Sequence, residues 1–134
     1  MKRIQLLSLL TAIVLTSCMT NRVIRAEFDQ SLEKYNELIR WQDADRAGIF
    51  SSASNAEEFR ARAEAAKRAR VVDYQIVDVR YDEKTMEASA VVVFSYYMST
   101  SALVKKVTDN QKWAYTDEGG VKSWRLMSPL PEFR

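Results

Sequence analysis

Residues 87–97, Glu87-Ala88-Ser89-Ala90-Val91-Val92-Val93-Phe94-Ser95-Tyr96-Tyr97, decide the fold. The run is rich in β-branched and aromatic residues, which favour an extended backbone, and it contains no glycine or proline. It is apolar enough to predict a central strand packed on both faces. On its N-terminal side, Asp82-Glu83-Lys84 supplies a turn, and Val71 to Tyr81 is a second strand of similar chemistry. On its C-terminal side, Met98 to Ala102 is a turn and Leu103 to Tyr115 a third strand, with Leu103, Val107, Trp113 and Tyr115 on one parity. A strand of that length predicts a bend or bulge near Thr108-Asp109-Asn110. Thr116 to Gly120 is the clearest turn, because glycine reaches positive φ without a side-chain penalty. Val121 to Met127 is the last strand, ended by Ser128-Pro129-Leu130-Pro131.

Before Arg70 the period is helical. Phe28, Leu32, Tyr35 and Ile39 form one stripe, widened by Leu38 and Trp41, and predict a helix to about Ala47 with Gly48 as its terminator. Thr20 to Ala26 reads as a short tether that merges into this helix. Ser54 followed by Glu57 fits a capping box, opening a second helix through Phe59, Ala63 and Ala66 to about Ala69. Its alanine face permits close approach of another element.

Two helices followed by four strands on short turns predict an α+β domain over residues 27–134, with the helices covering one face of a curved antiparallel four-stranded sheet. A sheet of this kind cannot hide its inner face by itself. The helix around Phe28-Leu32-Tyr35-Ile39, the alanine-rich second helix, Val71-Val72-Asp73-Tyr74, and two strands closing on Gly119-Gly120-Val121-Lys122-Ser123-Trp124-Arg125-Leu126 together resemble the NTF2-like or cystatin-like α+β superfamily over residues 27–130. That resemblance implies a cone-like cavity between sheet and helices, used in the superfamily for small-molecule binding, isomerase or dehydratase chemistry, or subunit association. Fold therefore constrains function weakly.

The chain opens with Met1-Lys2-Arg3 and an apolar run from Ile4 to Val14 broken only by Gln5, Ser8 and Thr11, the layout of a secretory signal peptide. The segment is short for a transmembrane helix of about 20 residues. Leu15-Thr16-Ser17-Cys18 resembles the lipobox of bacterial lipoproteins: an aliphatic residue three before the cysteine, a small residue before it, and the cysteine itself. The resemblance implies cleavage after residue 17, lipid on Cys18, and residues 18–26 as the lipidated N-terminus and tether. Met19 is not the aspartate of an inner-membrane retention signal, which implies the outer membrane, facing the periplasm. The alternative is an ordinary signal peptide with a chance cysteine. Cys18 is the only cysteine in the chain, and a lone thiol in an exported protein calls for a reason. Multiple acyl chains would anchor stably where one is marginal.

Loss of residues 1–17 leaves 117 residues, one small domain. The 20 Lys plus Arg fall to 18 when Lys2 and Arg3 leave, against 18 Asp plus Glu, so the basic excess belongs to the leader. Nothing in that balance, and no basic stripe, indicates nucleic acid. The absence of histidine excludes a Ser-His-Asp triad, a Cys-His pair and histidine ligation of zinc. No cofactor or metal site is expected.

For an enzyme of the resembled family, Asp45 with Tyr35, Tyr74 and Tyr96 is the candidate set: a carboxylate raised by a dry pocket to act as base, and hydroxyls for an oxyanion. The bland reading is that Asp43 and Asp45 solvate a helix end. Trp41, Trp113 and Trp124, with the tyrosines, either line a pocket, form a contact surface, or fill the core. Trp113 and Trp124 flank the Gly119-Gly120 hairpin closely enough to be cross-strand neighbours. Arg60, Arg62, Lys67, Arg68 and Arg70 are an anion site or a solvated face. The leading expectation is a non-catalytic envelope lipoprotein that binds another envelope protein or itself, and it demands an exposed apolar or aromatic face. The second is a small-ligand carrier or sensor, which fails if Phe28, Tyr35, Phe94 and Trp124 fill the interior. The third is the enzyme.

Overall fold

The computed structural model describes residues 19–134 with their side chains, so Leu15, Thr16, Ser17 and Cys18 lie outside the described residues. The elements are α1 (Lys2–Arg40, described from Met19 on), α2 (Ala44–Ala47), two 3₁₀ turns at Gly48–Phe50 and Ala53–Asn55, α3 (Ala56–Ala66), β1 (Ala69–Asp82), β2 (Glu87–Met98), β3 (Lys105–Glu118) and β4 (Val121–Leu126). The fold is α+β: an open four-stranded antiparallel sheet in the order β1-β2-β3-β4, with helices on one face.

The helical stripe of α1 is the lid of the core. Phe28, Leu32, Tyr35, Leu38 and Ile39 are all buried, against Val92, Phe94, Trp113, Trp124 and Leu126 of the sheet. Phe28 touches both Trp113 and Trp124, with ring centroids 6.1 and 5.0 Å away. Tyr35 meets Trp113 edge-on at 5.6 Å, and α3 adds Phe59 at 6.2 Å from the same ring.

The expected first helix divides before Ala47. Gln42 takes a left-handed backbone (φ 66°), and the Asp43 amide reaches back to Leu38 O at 2.8 Å, a closure that satisfies an orphaned carbonyl at a helix end. The Asp43 carboxylate then accepts from the Arg46 amide and starts α2. The Ser54–Glu57 capping box does not form: α3 begins after Asn55 without a side-chain cap, and the Ser54 hydroxyl faces that of Ser52 at 3.1 Å. A 3₁₀ turn through Ala53–Asn55 already occupies the position a capping Ser54 would need. Residues 20–26, expected as tether, are helical, and Ile24 packs on the core while its carbonyl accepts from Trp124 Nε1 at 2.9 Å.

In the sheet, β2 alternates: Ala88, Ala90, Val92, Phe94 and Tyr96 are buried, and the residues between them are half-buried. Expectation of burial on both faces is thus corrected, since among the described residues no helix covers the outer face. The bulge expected near Asp109 is absent, as β3 pairs regularly with β2 from Tyr96↔Lys105 to Glu87↔Ala114. Keeping that register holds Asp109, Gln111 and Trp113 all inward, and a bulge would turn some of them out. The irregularities fall instead in β1, between Val71 and Asp73 and between Ile76 and Asp78. Gly119 and Gly120 both have positive φ, as a tight hairpin requires, and Asp117 Oδ1 accepts from the Gly120 amide. In that hairpin Trp124 lies opposite Tyr115 and Trp113 opposite Leu126, so the two tryptophans are offset by a residue pair and share Phe28 as their contact.

The segment after β4 does more than end the strand. Leu130 is fully buried, Phe133 packs on Phe94 and Tyr96, and Arg62 and Asn55 donate to the carbonyls of Leu130 and Ser128.

Candidate functional site

Asp45 and the three tyrosines stand in four different surroundings. Asp45 is exposed on α2, beside Lys67. Lys67 is held above the usual lysine range first by its hydrogen bond to Glu64, then by the charges of Glu64 and Asp45. Tyr35 is fully buried with no hydrogen-bond partner for its hydroxyl, and burial, reinforced by the Asp109 charge, pushes its ionisation well up. Tyr74 is half-buried against Phe94 at 6.0 Å; partial burial, then Glu37, Glu33 and Asp73, raise it. Tyr96 donates its hydroxyl to Arg134 O at 2.7 Å and accepts from the Arg134 amide at 3.1 Å. An oxyanion site needs its donors convergent on one point, and these do not converge.

The residues sequence reasoning missed form a buried polar cluster. Gln111 Nε2 donates to Asn36 Oδ1 and Asp109 Oδ2, both at 2.8 Å; Trp113 Nε1 donates to Gln111 Oε1 at 3.2 Å, and Asn36 Nδ2 to Leu32 O at 2.8 Å. Burial pushes the Asp109 carboxyl up to about 7, against the opposing pull of the Gln111 hydrogen bond and the Arg62 charge. The available signal was parity: Asp109 and Gln111 alternate in step with Trp113, so a strand that buries Trp113 carries both inward. The cluster's donors and acceptors largely satisfy one another, which is the architecture of a structural network.

Three of the basic residues of α3 and its exit, Arg62, Lys67 and Arg70, have separate partners. Arg62 pairs with Glu58 at 2.7 Å, Lys67 with Glu64 at 2.6 Å, and Arg70 donates to Gln42 Oε1 at 2.6 Å. A cleft of about 180 Å³ opens nearby over Ile39, Ala63, Ala66 and Phe133, with Asp45, Lys67 and Arg70 at its rim. Opposite charges on one rim select no single ligand charge. Among the described residues no group of His, Cys, Asp or Glu gathers as a metal set, and no helix is long and apolar enough to cross a membrane.

Phe28, Tyr35, Phe94 and Trp124 are buried, and aromatic contacts link them to their neighbours. Trp113 and Trp124 belong to that packing. Trp41 does not. It is 70% exposed, with the Arg40 guanidinium 4.9 Å over its ring, and Arg40 in turn donates to Val71 O on β1 at 3.0 Å. Beyond that bridge β1 runs as an edge strand whose Val72, Ile76, Val77 and Val79 are all exposed. No family model, curated protein or solved structure matches the chain.

Proposed function

We propose that this chain is a membrane-anchored envelope lipoprotein, held by lipid on Cys18 in the outer membrane, that works without catalysis as a protein-binding or assembly module. The observation that carries the association reading is the exposed apolar margin formed by Trp41 and β1 beside an interior filled with aromatic side chains. Apolar side chains on an unpaired strand edge invite partners, because the backbone groups there are unpaired as well. The anchor reading rests on Leu15-Thr16-Ser17-Cys18 following a signal-peptide pattern. We also read the fold as NTF2-like or cystatin-like, turned toward association; a helix laid across an antiparallel meander supports this.

The test has two arms in living bacterial cells. Labelled palmitate should enter the full chain and be lost in Cys18→Ala. Photo-crosslinking groups placed at Trp41 and at Val77 should give discrete protein adducts that a group at exposed Lys84 does not. Equal labelling of Cys18→Ala would overturn the anchor, and adducts no stronger at Trp41 and Val77 than at Lys84 would overturn the module.

A further inference from the structure

We infer that the β1 edge pairs with β1 of a second copy of this chain, antiparallel about a twofold axis between Ile76 and Val77, extending the sheet to eight strands. This rests on the association reading above and names the partner of that face.

The start of the edge is already occupied. Gln42 Nε2 donates to Ala69 O at 2.9 Å and Arg40 to Val71 O at 3.0 Å, so the free edge begins at Val72 and runs to Asp82. Its middle is the second bulge, Ile76-Val77. Pairing with β2 sorts the side chains: Asp73, Gln75, Asp78 and Arg80 stand on the outer face, and Tyr74, Ile76, Val79 and Tyr81 on the helix-covered face. Folding the strand on its own copy about Ile76 and Val77 places Asp73 opposite Arg80, Gln75 opposite Asp78, and Tyr74 opposite Val79. Each of these pairs keeps outer with outer and inner with inner.

The charges select that register. Opposite charges across an antiparallel pair stabilise, and like charges directly opposite destabilise. The proposed axis gives Asp73–Arg80 twice by symmetry. Sliding by two residues in one direction keeps the faces matched but puts Asp73 opposite Asp82; in the other direction it puts Asp73 opposite Asp78 and sets Gln75 of the outer face against Ile76 of the inner one. The Arg80–Asp78 pair within one chain is largely solvent-exposed, so it holds Arg80 weakly and leaves it free to turn to Asp73 of the second copy.

Bulges ordinarily protect an edge by twisting it away from a flat strand. Here a bulge lies on the symmetry axis, so a second copy presents the same irregularity at the same place. An isologous contact of this kind closes at two subunits and does not propagate. It would also cover Ile76, Val77 and Val79.

The experiment measures the mass of the full chain in detergent micelles by sedimentation and light scattering, for the native protein, Asp73→Arg, Arg80→Asp and the double exchange. Both substituted positions are exposed, and circular dichroism verifies folding. The native chain and the double exchange should be dimers, and each single variant should dissociate at least tenfold more readily, because it sets like charges opposite. A monomeric native chain, or four species of equal dimer strength, would overturn the pairing. A native monomer that still yields Val77 adducts to a different envelope protein would sink the dimer and leave the module reading standing; a native monomer with no specific adducts would sink both.

Discussion

Gln111 Nε2 lies 2.8 Å from Oδ2 of Asp109, joining a carboxyl and an amide two residues apart on the inward face of β3. Both are buried beneath α1, whose Asn36 completes the amide's second donor bond. A polar pair in a core built mainly of aliphatic and aromatic side chains holds only while its bonds are made.

Asp109 makes stability depend on pH. Its folded value of about 7 lies above the ordinary 3.8, so the folded state binds the proton more tightly than the unfolded chain. Stability therefore falls as pH rises from about 4 to about 7 and is level above that. Asp109→Asn keeps an acceptor for Gln111 and removes the charge. It should be more stable than the native protein at pH 8, by about 1–3 kcal/mol given about 1.4 kcal/mol per pKa unit less the cost of a new amide donor. Urea unfolding at pH 5 and 8 checks it; a less stable variant at pH 8 would show that the charge is needed by Arg62.

Asn36→Ala removes the acceptor for Gln111 Nε2 and leaves a buried group short of a partner. A loss of about 1–3 kcal/mol should follow, since an unsatisfied buried donor bears its desolvation cost. Combining it with Gln111→Ala should cost less than the sum of the singles. Strict additivity in a double-mutant cycle would mean the two residues do not act as one network.

Tyr35→Phe tests the reverse case. The hydroxyl is buried without a hydrogen-bond partner, and the ring supplies the contacts to Phe59, Phe50 and Trp113. Thermal unfolding should shift upward or stay level, a gain of up to about 1 kcal/mol. A clear loss would reveal that the hydroxyl is bonded in solution, with water as the first suspect.

Leu130→Ala should cost about 2–5 kcal/mol, as for a fully buried leucine, although it lies beyond the last strand. Denaturant midpoints measure this. A change below about 0.5 kcal/mol, the surface range, would mean the C-terminal segment does not dock.

How far the sequence could be read follows from the range of each interaction. Glu87–Tyr97, Gly119-Gly120 and the Phe28-Leu32-Tyr35-Ile39 stripe were legible because turn chemistry and hydrophobic period act within a few residues. The failed capping box at Ser54 and the break at Gln42 show that even local signals yield to the packing around them. Of the named site residues, the structure gathers Trp113, Trp124, Tyr35 and Tyr96 into one core and leaves Trp41 outside it.

By itself, then, the sequence determined the α+β order of elements, the hairpins and the inward stripe of α1, since these depend on backbone preference and periodicity. Only the tertiary structure decided that Asp109 and Gln111 meet Asn36, that Leu130 and Phe133 close the core, and that β1 is left as an edge with Trp41 beside it. Those outcomes depend on which residues distant in sequence occupy the same volume, and on which strands have a neighbour on one side only, and no local pattern encodes either.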